Sequence, residues 1–423
     1  MKNKNLSNKN GITLIALIIT IIVMLILVAV TISMAVNGGL FGYASNAARD
    51  TEFAKKGEQR IGTGQIEVDG SIYNSPEDYI NGVEATPTYS ASLLNTNGVL
   101  TKTAEYIDEN DDTAIIPKGY GIVTGCEAVN QGLVISDEFD SNGNSVGNEF
   151  VWIPVPGKDM KVATISDPYV YDAGINYGEP KELVGTDVDF TSSLPGGPYK
   201  FDSQEELDYR YGANYFSYET DFAYEAHYKE MAESVNKYGG FYIGRYETTV
   251  DSSNNIGSKA NTTVLVLCNK IFETTAWCRW WGLYYASRHA DVAQNGSTVQ
   301  TNMIWGQQWS KMIDYVRSKG ISVAAISTST YDRPSGVLAS GQATYTNKTD
   351  STDVIYDKIF NIYDLRANVM DWTAEGRGDQ YRVVRGGDYQ TMPSCSASQR
   401  DMNLYQPLSG SERTGSRLAL CIL

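Results

Sequence analysis

"RVVRGGDYQTMPSCSASQRD", residues 382–401, combines a β-branched run, a glycine pair at Gly386 and Gly387, and one cysteine, Cys395, in a polar loop. The run favours a short strand and the glycines stop it, so the stretch predicts a strand entering an irregular loop. The whole tail from residue 351 is similar, rich in glycine and without a helical period. Upstream, "NEFVWIPVPG" (148–157) is an apolar, aromatic strand stopped by Pro156 and Gly157, and "GGFYIGRYETT" (239–249) and "TTVLVL" (262–267) are further strands. Two amphipathic helices punctuate them. Tyr224, Tyr228, Met231 and Val235 recur at helical spacing before Gly239, and Trp305, Trp309, Met312 and Val316 do so before Gly320. Residues 148–423 therefore read as an α+β domain of irregular, loop-rich type.

Three stretches carry a resemblance: "FVWIPV" (150–155), "YDLRANVMDWTAEG" (363–376) and "YRVVRGGDY" (381–389). They are similar to signatures of the formylglycine-generating enzyme/sulfatase-modifying factor superfamily, which implies a C-type-lectin-like fold. "FYIGRYE", "TTAWCRWW" and "GSRLAL" fall where that family has counterparts. Its enzymes hold Cu(I) between two cysteines beyond the glycine pair and oxidise a substrate cysteine, a soft site suited to that ion. Here those positions, counted without gaps, are Thr391 and Ser396; a shift of one brings Cys395 to the second and leaves Gln390 or Thr391 at the first. The family's serine after the glycines is Asp388, and the first tryptophan of its "GNVWEW"-like motif is Met370. The resemblance thus implies a retained scaffold without copper and without catalysis. The enzyme alternative is an oxidase of formylglycine-generating or other type, using Cys395 with an unrecognised partner such as Cys421.

The same resemblance implies Ca²⁺ at "DLRANVMD", with carboxylates from Asp364 and Asp371 and backbone oxygens from Ala367 and Val369. The competing reading has Asp364 capping a turn and Asp371 pairing with Arg366, Arg382 or Arg385. A second acidic loop, "EFDSNGNSVGNE" (138–149), places Glu138, Asp140, Asn142, Gly143 and Glu149 at calcium-loop spacing, although its flanks read as strands. The alternative there is a solvated Asn/Gly turn.

The amino terminus sets the compartment. Ile12 to Val36 is an almost unbroken apolar run, and no charged residue occurs from Asn10 to Ala48. As a helix it extends about 37 Å, enough to cross a bilayer core of ~30 Å. Lys2, Lys4 and Lys9 precede it, which puts the amino end in the cytoplasm and the remainder outside. "NGITLIALIITIIVMLI" resembles the start of type IV prepilins, implying cleavage between Gly11 and Ile12 by a prepilin peptidase and contact with pilin-like subunits. The glutamate usual at the fifth mature position is Ala16. A plain uncleaved anchor and a minor pilin-like subunit both stay open. The chain then divides into leader, membrane helix and stalk (1–60), a small β-rich spacer (61–147) and the resembling domain (148–423).

A formal charge of −16 argues against nucleic acid as a partner, because phosphate binding needs excess Lys and Arg. Five scattered cysteines make no disulfide framework, and His227 and His289 lie in no metal-ligand spacing. The function expected is binding or adhesion at the cell surface, toward a protein or glycan. The expected contact face is the loop region 388–413, with Asp388, Tyr389, Gln390, Asn403 and Tyr405 exposed.

Overall fold

A computed structural model of the chain describes residues 66–68, 71–74, 85–158, 160, 224–266, 280–292, 298–327, 330–332, 334–377, 381–390, 396–398, 400–401 and 413–423. The expected membrane helix at 12–36, the Gly11–Ile12 junction, Thr391, Cys395, Asn403 and Tyr405 lie outside these residues. No described helix is long and apolar enough to cross a membrane. The chain forms two compact units, Met1–Ala85 and Thr86–Leu423. What is described of the first is an antiparallel hairpin of β1 (Ile66–Val68) and β2 (Ser71–Tyr73), with Ile66 opposite Tyr73.

The second unit is built mostly of short strands with three α-helices among the described residues. In chain order come β3 (Ala104–Ile107), β4 (Thr113–Ile116), β5 (Gly121–Ile122), β6 (Val134–Ser136) and β7 (Glu149–Pro154). Then follow α1 (Tyr224–Tyr238), β8 (Gly240–Gly244), α2 (Trp280–Arg288), β9 (Val299–Met303) and α3 (Gly306–Ser318). The last are β10 (Met370–Arg377), β11 (Tyr381–Arg385), β12 (Arg400–Asp401), β13 (Thr414–Ser416) and β14 (Leu418–Ile422).

The principal sheet has the order β9-β14-β8-β7-β6-β5, antiparallel throughout, so the last strand of the chain closes in between β9 and β8. Both faces are covered, which is why "FVWIPV" and "LALCI" read as continuous apolar runs instead of alternating ones. Val151, Ile153, Phe241, Ile243, Ala419 and Cys421 belong to the core shared with Tyr228, Met231 and Val235 of α1 and Trp309, Met312 and Val316 of α3. The described residues of both expected helical stripes, Trp305 included, are thus core; the Tyr224 side chain lies outside the described residues. On the other face Trp152 and Tyr242 meet with ring centroids 4.9 Å apart. The Trp152 indole donates to the Thr113 carbonyl (3.1 Å), and the Tyr242 hydroxyl to that of Ile115 (2.9 Å), so the β3–β4 hairpin covers this side. Each such buried ring contributes roughly 1.5–3 kcal/mol.

Residue 148 is consequently no seam in the structure. β5 and β6 extend the principal sheet and β3–β4 cover it, so much of the segment expected as a spacer is built into the unit beginning at Thr86.

A second sheet, β12-β11-β10-β13, joins the two carboxy-terminal motif stretches: β10 and β11 pair antiparallel, with Asp371 opposite Arg385, while β10 and β13 run parallel. A two-residue turn at Phe360 and Asn361 (φ 53° and 61°) closes the Ile359–Ile362 hairpin. A primed turn matches strand twist but strains a non-glycine residue. Burial of the Phe360 ring, edge-on to Tyr315 at 5.5 Å, offsets that strain.

Candidate functional site

The loop after that turn winds through two more left-handed residues, Asp364 and Asn368 (φ 61° and 65°). Both are types that tolerate this region. Ala367 has negative φ, so its Cβ costs the turn nothing; it is buried beside Ala343 and Tyr345.

Each polar side chain of the loop ties down another segment. Asp364 accepts the Gly341 N–H at 2.6 Å and that of Ala343 at 3.3 Å. Asn368 bonds Leu338 through its amide oxygen, accepting the N–H at 2.8 Å, and donates to Glu247 at 2.6 Å. The other Glu247 oxygen accepts the Val369 N–H at 3.1 Å. Asp357 takes the Arg366 N–H and Nε, both at 2.6 Å. Below them Arg417, fully buried, donates from Nε to Asp371 (3.0 Å) and from its terminal nitrogens to the carbonyls of Gly244 (3.2 Å) and Tyr363 (3.0 Å). Asp371 therefore pairs with Arg417, while Arg366 serves Asp357.

Three buried carboxylates, Glu247, Asp364 and Asp371, thus share the single guanidinium of Arg417. Burial raises the pKa of Glu247, and Asp364 and then Asp371 add repulsion against Arg417. Burial lifts Asp364 to about 7 against its bonds from Gly341 and Ala343, with Asp357 pushing the same way. Asp371 is raised by burial and held back by Arg417. The network can take up protons and lock loops together. Of the expected calcium ligands, Asp364 and Asp371 are buried in this network, and Asp371 takes the Arg417 Nε; among the described residues no group of three or more His, Cys, Asp or Glu side chains is placed to hold a metal ion.

The glycine pair ends β11 against this loop. Gly386 has φ 72°, and a Cβ there would come within 2.5 Å of the Leu365 carbonyl oxygen, so both conformation and space require glycine. Beyond it, Asp388 and Tyr389 are 1% and 7% exposed, in contrast to the exposure expected for them. Asp388 accepts the Gln390 N–H at 2.7 Å and lies 3.5 Å from Arg413; the Tyr389 N–H donates to the Asn368 carbonyl at 3.1 Å. The loop folds inward on its own carboxylate, and of the expected contacts that are described only Gln390 is exposed.

Cys421 lies on β14 opposite Gln300, within the core, and burial pushes its thiol up to about 12. Gln308 Nε2 stands 3.9 Å from its sulfur. Ser396, at the second cysteine position of the resembling family, has its hydroxyl 2.8 Å from that of Ser398. In the 138–149 loop, Asp140 accepts N–H bonds from Asn142 and Asn144, both at 2.8 Å, and Glu149 turns away to Arg245 at 2.6 Å. Residues 140–144 thus form an Asn/Gly turn held by the Asp140 carboxylate.

Glu247 and Arg417 escaped the sequence reading. The signal available was a charge directly flanking an apolar strand, in "FYIGRYE" and "GSRLAL".

No family model matches the chain, and no curated protein does. Among solved structures it is similar to the Major Tropism Determinant I1 variant (16% identity, TM-score 0.28), over 44% of this chain and 52% of that one. The U1 variant matches at 13% identity over 85% and 80% of the two chains, with TM-score 0.30. Treponema denticola variable protein 1 matches at 12% over 44% and 85%, with TM-score 0.25. The chain spans about half the length of the I1 variant. At such TM-scores the fold is read from the chain's own sheets.

Proposed function

We propose that this chain is a membrane-anchored surface protein whose carboxy-terminal unit, residues 86–423, is a non-catalytic head of C-type-lectin-like, sulfatase-modifying-factor type that binds a protein or glycan. The observation that carries the reading is the position of Cys421. Cys421, the partner named for Cys395 in the oxidase alternative, is sunk in the core of the principal sheet. The pairing of the motif strands as β10 and β11 supports the family scaffold, and the ionic network gives the loops above it a rigid base. Within the 388–413 region, Gln390 and not the buried Asp388 and Tyr389 belongs to the assigned contact face, and the apolar run 12–36 is the assigned anchor, with prepilin peptidase as its processing partner.

Topology is tested by digesting intact cells with protease. The head is expected to disappear while a small amino-terminal fragment stays with the membrane, and sequencing of that fragment reports whether it starts at Ile12. Full protection until the cells are lysed contradicts the assignment.

A further inference from the structure

An open cleft of about 800 Å³ lies where the 95–101 loop and residues 118–119 face residues 137–139, Asn148, Lys259 and Asp291. All of it belongs to the Thr86–Leu423 unit. Its walls divide into groups spent on the fold and groups left over. Asn148 is spent: its amide donates to Asp137 (2.8 Å) and to the Asp291 carbonyl (2.9 Å) and accepts the Ser258 N–H (2.9 Å). Asp291 accepts the Ile256 N–H at 3.0 Å, and Lys259 stands 3.8 Å from Asp251.

Left over are the side chains of Asn97, Lys118 and Glu138, which line the cleft and bond to nothing in the protein. Asn95 belongs partly to this set. Its oxygen accepts the N–H groups of Asn97 (2.8 Å) and Val99 (3.2 Å), fixing the loop, while its NH₂ is unused. The wall also carries a half-buried aromatic ring, Phe139, seated on glycine: a Cβ at Gly121 would come within 2.8 Å of that ring.

The chemistry of the uncommitted groups selects a ligand class. The Asn97 amide offers donor and acceptor together, as adjacent hydroxyls require, and the unused NH₂ of Asn95 adds a donor beside it. The ring gives a flat apolar surface for the C–H face of a sugar. Lys118 and Glu138 cancel, so nothing favours a strong anion, and a nucleotide would need further cations. The volume is within the range of small-ligand sites. We propose that this cleft is a binding site for a neutral oligosaccharide of two or three sugar units, oriented by Asn95 and Asn97 and stacked on Phe139. It lies outside the 388–413 face and stands whether or not that face binds.

The test is binding of the full-length protein in detergent micelles to immobilised chitobiose, cellobiose, lactose, maltose and mannobiose, with sialyllactose as the acidic comparison, followed by calorimetric titration of any that bind. At least one neutral sugar is expected to bind, with affinity at least tenfold lower in both Asn97→Ala and Phe139→Ala. Asn97 is exposed, so its variant reads the contact without disturbing the fold; thermal unfolding controls for Phe139→Ala. Absence of binding to all five neutral sugars, preference for sialyllactose, or affinity unchanged in Asn97→Ala overturns the proposal.

Discussion

Arg417→Leu is expected to destabilise the head by roughly 3–5 kcal/mol, because removing one partner of a buried ion pair leaves the other charge uncompensated. Asp371 would keep a buried oxygen facing leucine, and its Oδ1 already has no hydrogen-bond partner. The carbonyls of Gly244 and Tyr363 would lose their donor in the same step. In a unit running from Thr86 to Leu423 each kcal/mol moves the unfolding midpoint by roughly 1–2 °C, so calorimetry should show a fall on the order of 5 °C. The double variant Arg417→Leu/Asp371→Leu should recover much of the loss, since it removes the stranded charge together with its partner. A single-variant shift below about 2 °C would show that Arg417 is not the counter-ion of the network.

The second large effect is on pH. A carboxyl whose pKa is higher folded than unfolded contributes stability that is fully present below the unfolded value and lost as pH rises through the folded one. Asp364 rises from 3.8 to about 7, and Glu247 and Asp371 are raised too. Stability should therefore fall between pH 4 and pH 8, by on the order of 4 kcal/mol from Asp364 alone. Asp140, Asp251 and Asp350, held below the usual range, give an opposite slope in stronger acid. Asp140 and Asp350 are held down mainly by side-chain bonds from Asn144 and Thr352; in Asp251 desolvation is the largest single contribution and raises the pKa, but the bonds from Asn255 and Ser253 and the charge of Lys259 together outweigh it. Midpoints measured from pH 4 to 8 should peak near the acid end. A curve that rises toward pH 8 would contradict the buried, proton-binding network.

What could be read in advance follows from the range of each interaction. "FVWIPV" announces a strand covered on both sides because the run itself lacks polar alternation, and Trp309, Met312 and Val316 announce a helix because their spacing is local. The cover on the second face was not legible, since β3–β4 is joined to Trp152 through the Thr113 carbonyl, 39 residues away in sequence. Glu247 was hidden for the same reason, its partners Asn368 and Val369 lying more than 120 residues on. Around the glycine pair, Gly386 was marked by its residue type, whereas the inward fold of Asp388 and Tyr389 depends on Arg413 and Asn368, which no local pattern connects to them.

The head is proposed to bind without copper oxidation. The most direct test of this supplies the full-length protein in detergent with Cu(I), oxygen and a cysteine-containing peptide, and follows the peptide by mass spectrometry. The thiol is predicted to survive unconverted at every copper level; copper-dependent accumulation of the aldehyde product would contradict the account.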